Sequence, residues 1–273
     1  MPNDLVLVRH GESEGNLADD LYRAGQEERA NAFFANRHTS EYRLTDRGRS
    51  QAQAAGRWLK ANLPGTFNLA YSSDFARARE TAGQLAIEGQ IWHVTFNLRE
   101  REHGVMRDLR GKEKLAAEEA HAKQPFYWRP LNGESVADIC VRVDRVLETV
   151  RKRNSGQRVI IVCHAEVMRA FRVRIEHILP EEYKKFNKTH PYHHIHNGQV
   201  LHYTRRDPAS GEVQAETGWV RSVCPWDKSL SSNDWEGVGH PVFSSLEMLR
   251  EVERIQQVLN NQDMKEEPRR PSR

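Results

Sequence analysis

The chain has 273 residues, 38% of them hydrophobic, enough for one large α/β domain with additions. Its 41 Lys and Arg nearly balance 38 Asp and Glu, and the two signs are interleaved, which argues against a nucleic-acid partner. No apolar run reaches membrane-spanning length and no basic-then-apolar leader opens the chain, so no membrane association is expected.

Leu5 to Val8 form a short continuous apolar run, the pattern of a strand buried on both faces of a parallel sheet. The run ends at once in Arg9-His10-Gly11-Glu12-Ser13. Open α/β sheets bind ligands at the C-terminal edge of such strands. An imidazole there can act as a nucleophile, and the planar guanidinium beside it can hold an oxyanion. Residues 17–43 show no clear strand. Leu21, Tyr22, Ala30, Phe33 and Phe34 suggest irregular helical pieces, and the position beside the active edge suits a lid. Thr45 can cap a helix carrying Ala52, Ala55, Leu59 and Leu63, stopped by Pro64-Gly65.

Phe67 to Tyr71 suit a second strand, and Ser72, Ser73 and Asp74 are N-cap residue types. Arg77 then falls in the first turn of a helix, where backbone amides already favour anions. Arg79 reads as an ordinary surface residue. After the apolar run Ile91 to Phe96 comes Leu98-Arg99-Glu100-Arg101-Glu102-His103-Gly104. A carboxyl group near a phosphate can protonate a leaving oxygen if burial or negative charge raises its pKa. Residues 105–131 form a second polar insertion with the basic residues Arg107, Arg110, Lys112 and Lys114, readable as a solvated face or as a substrate-selecting cap.

Val136, Ile139, Cys140, Val143, Val146, Leu147 and Val150 follow the helical period closely. Val159 to Val162 make another buried-strand run, which ends in Cys163-His164 and passes into a helix through Val167, Met168, Ala170 and Phe171. Two imidazoles and two guanidiniums can surround one phosphoryl group. Cys163 to Arg169 also spells C-x5-R, the spacing of cysteine-dependent phosphatases, but lacks the glycines that such a phosphate loop needs. His190, His193, His194, His196 and His202 form a cluster with no carboxylate or Cys partner to complete an ordered site, so no metal is expected.

His196 to Tyr203 look like the final sheet strand, with a turn at 207–211 leading to a further strand over Val213 to Glu216. Trp219, Trp226 and Trp235 can pack an extension onto the domain. Leu246, Leu249, Val252, Ile255, Val258 and Leu259 fit an amphipathic helix that needs a partner surface, in the same chain or in a second copy as a homodimer. Residues 261–273 read as a disordered tail. Three widely spaced cysteines, Cys140, Cys163 and Cys224, suggest reduced thiols and a cytoplasmic setting.

Four separated motifs, RHGESEGN, SSDFARARETA, LREREHG and VIIVCHA, match in order those of the histidine phosphatase superfamily, in its phosphoglycerate-mutase-like branch. LTDRGRSQAQAAGRWL and NGESVADICVRVDRVLETV resemble family segments too, and the resemblance spans residues 4 to 204. It implies a three-layer α/β sandwich: a mostly parallel central sheet flanked by helices, with a helical cap and a C-terminal extension. The domain divides as 1–204 catalytic, with 17–43 and 105–131 as lid and cap, 205–260 extension and 261–273 tail.

The resemblance further implies that His10 takes the phosphoryl group, that Arg9, Arg77 and His164 bind its oxygens, and that Glu100 is the acid and then the base. Ser13, Asn16, Arg101 and Ala165 are the substrate-side positions. Ala165 departs from the glycine common after the second histidine, and Glu102 competes with Glu100 for the acid role. The expected reaction is hydrolysis of a small phosphate monoester without metal or other cofactor. The alternatives are a phosphoglycerate-mutase-type transfer and a non-catalytic phospho-ligand module. Glu102-His103 replaces part of the longer basic stretch of the mutases, which favours hydrolysis.

Overall fold

The structure is a computed structural model that describes residues 1–34, 37–107, 109–153, 155–186, 194–232, 234–239 and 241–261. Among the described residues, seven strands form one mixed sheet. They are β1 (Asp4–Arg9), β2 (Leu69–Ser73), β3 (His93–Thr95), β4 (Arg158–Cys163), β5 (Val200–Thr204), β6 (Trp219–Val223) and β7 (Glu236–Gly237), in the order β3-β2-β4-β1-β5-β6-β7. The half from β3 to β1 is parallel, and β5, β6 and β7 are added antiparallel.

Alternation along the strands builds two cores. Leu5 and Leu7 of β1 with Val159 and Ile161 of β4 face α6 (Val136–Arg153) and α7 (Ala165–Ile175). Val6 and Val8 with Ile160 and Val162 face α3 (Asp46–Asn62) and α4 (Ala76–Gln84). The three-layer expectation holds because β1 and β4 are apolar on both faces, so each face must be covered. In α6, Ile139, Val143, Val146, Leu147 and Val150 are all buried. Each contributes roughly 1.5–3 kcal/mol by area, which anchors this helix firmly. By contrast α5 (Gly111–Lys123) buries no residue, in keeping with the polar reading of the 105–131 insertion.

The 17–43 segment begins inside α1 (Glu14–Arg23) and continues as α2 (Glu27–Phe34) and a 3-10 turn at Thr39–Glu41. The Thr45 hydroxyl accepts from Gly48 N at 3.0 Å, the expected cap of α3. That first turn lies against the loop after β1. A Cβ on Gly11 would sit 2.1 Å from Gly48 O, and one on Gly48 would sit 1.9 Å from Glu12 O. Both glycines are therefore required by close backbone approach.

Several boundaries differ from the sequence reading. β2 runs later, to Ser73, and the N-cap of α4 is Phe75, without a side-chain bond. Ser72 and Ser73 are strand residues because pairing with β3 and β4 outweighs their capping preference. Residues 196–199 form a turn before β5, and Val213 makes only an isolated bridge to Arg206. The strand that extends the sheet is β6. A boundary after residue 204 therefore falls inside the sheet, and the compact unit is Met1–Gly239. The second unit, His240–Arg273, holds α9 (Ser245–Glu253), shorter than its apolar pattern; Leu246, Leu249, Val252 and Ile255 are exposed. The remaining helix is α8 (Pro180–Phe186). No described helix is long and apolar enough to cross a membrane. His190, His193 and the tail from 262 lie outside the described residues.

Candidate active site

β1 and β4 are neighbours in register, Arg9 opposite Cys163, so the residues that follow them emerge side by side. His10 N donates to Cys163 O at 3.0 Å, and the His10 and His164 rings stand edge to face with centroids 5.1 Å apart. His10 Nδ1 lies 2.7 Å from the Gly11 carbonyl. A carbonyl can only accept, so Nδ1 carries the proton and Nε2 presents a lone pair. Arg77 Nε donates to that Nε2 at 3.2 Å. Burial, then the charges of Arg77 and Arg9, hold the His10 pKa well below 6.5. The ring is thus neutral at pH 7, as a nucleophile must be.

The cations come from three elements. Arg77, in the first turn of α4, also donates from Nη1 to Thr39 O at 2.7 Å, which ties it to the 17–43 segment. Arg9 Nη1 donates to Ile195 O at 2.6 Å, while its buried Nε has no hydrogen-bond partner. Burial pushes the Arg9 pKa down to about 10, with Glu100 opposing and Arg169 and Arg77 assisting, so the group remains charged at neutral pH. His164, the N-cap of α7, lies 2.9 Å from Ser73 Oγ through Nε2 and leaves a buried Nδ1 without a partner. Burial, then Arg77, His10 and Arg9, lower its pKa well below 6.5. A phosphoryl dianion would reverse that balance and favour the imidazolium.

Glu100 and Glu102 are told apart by their surroundings. Glu100 is half-buried, and its Oε1 accepts from Arg101 N at 2.9 Å. Burial, followed by the nearby charge of Glu166, raises its pKa. Glu102 is exposed and its carboxylate accepts from Gly104 N. Glu100 therefore has surroundings that favour its protonated form, whereas Glu102 is open to solvent.

A cavity of about 640 Å³ is lined by Arg9, His10, Arg77 and Glu100, together with Ser13 and Asn16. His38, Thr39, Ser40 and Tyr42 join its wall, so the end of the 17–43 segment lines the site. Ser13 N and Oγ both donate to Asn16 Oδ1, at 3.0 and 3.1 Å, so this pair starts α1 while facing the cavity. Arg101 lines the cavity, but its Nε donates to Glu134 O at 2.8 Å and its Nη1 stands 3.8 Å from Glu166. Ala165 opens α7 and is not among the lining residues.

Sequence reasoning missed the residues that hold the site. Glu134 accepts from Arg99 Nη2 at 2.9 Å, from Arg142 Nε and Nη2 at 2.9 and 3.0 Å, and from Glu102 N at 3.1 Å. Arg142 Nη1 reaches Asn97 O at 2.6 Å. Together they clamp both ends of the acid segment. The available signal was Arg142, a cation inside an apolar helical stripe that needs a buried carboxylate. Asn197 Nδ2 donates to His10 O and Asn16 Oδ1 at 3.1 and 3.2 Å, while Trp226 Nε1 donates to Asn197 O at 2.6 Å. Trp235 packs on His202 and Arg221, so two of the three tryptophans do secure residues beyond 204 to the sheet.

Cys163 is fully buried and burial drives its thiol pKa far up. Residues 165–169 lie in α7, whose backbone amides cannot wrap a phosphate as a C-x5-R loop must. His202 is paired with Asp4 at 2.8 Å, which accounts for one member of the histidine cluster.

Residues 5–209 match the histidine phosphatase superfamily (branch 1), and the chain belongs to that family. The 2,3-bisphosphoglycerate-dependent phosphoglycerate mutase of Methylocella silvestris is 35% identical over 193 residues, 65% of this chain and 83% of that protein. The protein of the same name from Xanthobacter autotrophicus is 33% identical over 196 residues, with the same shares. Among solved structures, Entamoeba histolytica phosphoserine phosphatase in complex with 3-phosphoglyceric acid aligns with a TM-score of 0.53 at 21% identity, over 76% of this chain and 92% of that one. A mycobacterial glucosyl-3-phosphoglycerate phosphatase complexed with VO3 gives 0.53 at 21% identity, over 74% and 92%. At these identities the likeness is one of fold.

Proposed function

We propose that this chain is a phosphatase that hydrolyses phosphate monoesters through a phosphohistidine on His10. The observation that carries this reading is His10 Nε2, a lone pair that accepts from Arg77, in one cavity with Arg9 and with a carboxyl group whose pKa is raised by burial. In the first step Nε2 attacks phosphorus, the P–O bond to the leaving group breaks, and Glu100 gives that oxygen its proton. In the second, water attacks phosphorus, its proton passes to Glu100, and the N–P bond breaks to release phosphate and neutral His10. Arg9, Arg77 and His164 stabilise the charge on the transferring group in both steps. No metal is needed in either step, because guanidiniums and imidazole supply the positive charge.

The curated relatives favour a second reading, phosphoryl return to the substrate as in a mutase. Two cations beside the acid, Arg99 and Arg101, are engaged with Glu134 and Glu166, which supports a site built for one phosphoryl group rather than two. The test is a panel of phosphate monoesters assayed with chelator present for released phosphate and for a base-stable, acid-labile phosphoprotein. His10→Ala should abolish both signals. Glu100→Gln should slow single-turnover phosphorylation from an alkyl phosphate by about a hundredfold to ten-thousandfold, and far less from nitrophenyl phosphate, whose leaving group needs no proton. Interconversion of phosphoglycerates with no phosphate release would establish the mutase instead, and binding without any turnover would establish a non-catalytic module.

A further inference from the structure

Glu166 belongs to no step above, yet it is a half-buried carboxylate in the first turn of α7, two residues after His164. Its Oε1 pairs with Arg169 Nη1, and its Oε2 stands 3.8 Å from Arg101 Nη1. Arg101 is the residue next to the acid. Its backbone N–H already touches Glu100 Oε1, and its side chain lines the same cavity. A guanidinium on a four-bond stem in that position could fold back onto the Glu100 carboxylate. Such a pair would stabilise the ionised form and remove the proton that the leaving group requires. The guanidinium instead donates to Glu134 O at 2.8 Å and stands 3.8 Å from Glu166.

We infer that Glu166 is a positioning residue, which holds the Arg101 guanidinium off Glu100 so that the acid stays protonated when substrate arrives. The inference rests on the reading of Glu100 as the general acid. Several charged or titratable groups surround Glu100. Arg9 comes from β1, Arg77 from α4, Arg101 and His103 from its own segment, the Cys163 thiol from β4, and Glu166 and Arg169 from α7. Among these described groups, Glu166 adds negative charge and also pairs with a neighbouring cation. In the free protein its own pKa is held down by Arg169 and Arg101 against the effect of burial, which favours its ionised form.

The experiment follows the pH dependence of single-turnover phosphorylation with an alkyl phosphate. The rate should fall as pH rises through the Glu100 pKa, and this limb should be absent in Glu100→Gln. Glu166→Gln should move the limb to lower pH by about half to one unit, which is about a three- to tenfold loss above it. Nitrophenyl phosphate should show little change, and Glu166→Asp should recover part of the shift. In an Arg101→Gln background, Glu166→Gln should move the limb by less than half as much, because the cation it restrains is gone. Circular dichroism and urea denaturation confirm that each variant is folded. An unmoved limb in folded Glu166→Gln, or an undiminished shift in the Arg101→Gln background, overturns the inference. A limb that survives in Glu100→Gln overturns the acid assignment itself, so the two failures are distinguishable.

Discussion

Replacing Glu134 with Gln removes the charge at the centre of the clamp while keeping its shape. The Glu134 and Arg142 side chains are 14% and 8% exposed, so the pair is largely out of water. Gln can still accept one hydrogen bond, but Arg142 then keeps a buried positive charge with only the carbonyls of Asn97 and Arg99 for company. Breaking a buried pair by removing one partner costs about 3–5 kcal/mol, and the retained amide should reduce this to about 2–4 kcal/mol. That is a large share of the roughly 5–15 kcal/mol that a domain has in total. Urea denaturation at pH 7.5 measures it. Because the cost arises from the stranded cation, Glu134→Leu combined with Arg142→Met should lose less than the sum of the two single changes, by about 1–3 kcal/mol. Activity should follow the same geometry. Arg99 and the Glu102 N–H both hang on Glu134, and Glu100 lies between them. Phosphorylation from alkyl phosphates should therefore drop about tenfold more than from nitrophenyl phosphate, on the scale of a misplaced acid. A Glu134→Gln cost below about 0.5 kcal/mol, within the range of surface changes, or strictly additive double-variant effects, would refute the clamp.

Two further outcomes follow from burial. Cys163→Ser should retain most activity, since the thiol is sequestered with its pKa driven up; total loss in a folded variant would bring the cysteine back into the chemistry. Stability should fall as pH drops below 6.5, because His10 and His164 resist protonation when folded while the unfolded chain takes up protons there. Each contributes up to about 1.4 kcal/mol per pH unit below 6.5 and nothing above it, and Glu100, whose pKa is raised, offsets part. Urea unfolding at pH 7.5 and 5.5 checks the sign, and equal or greater stability at pH 5.5 would contradict it.

The sequence by itself carried the parts of this protein that are local. A strand buried on both faces must be an unbroken apolar run, so β1 and β4 could be read directly, and the residues after them are placed by chain continuity. That is why Arg9, His10, Arg77 and His164 were legible as one edge of a sheet. Helix α6 was legible for the same reason, through its period. Tertiary structure decided what depends on pairing across distance. The two glutamates of the acid segment have the same sequence signature, and only the fold leaves one half-buried near Glu166 and the other exposed. Glu134 and Asn197 act on residues far along the chain, so no local pattern marks them, and Arg142 shows locally only as a cation in an apolar stripe, without its partners. The serines at 72 and 73 have capping chemistry, but neighbouring strands claim them first. β5 was read as a strand, but β6 and β7 beyond it were missed because they are short and are defined by the edge they join. Local apolar periodicity sets which segments are elements; which distant charge meets which is set only when those elements pack.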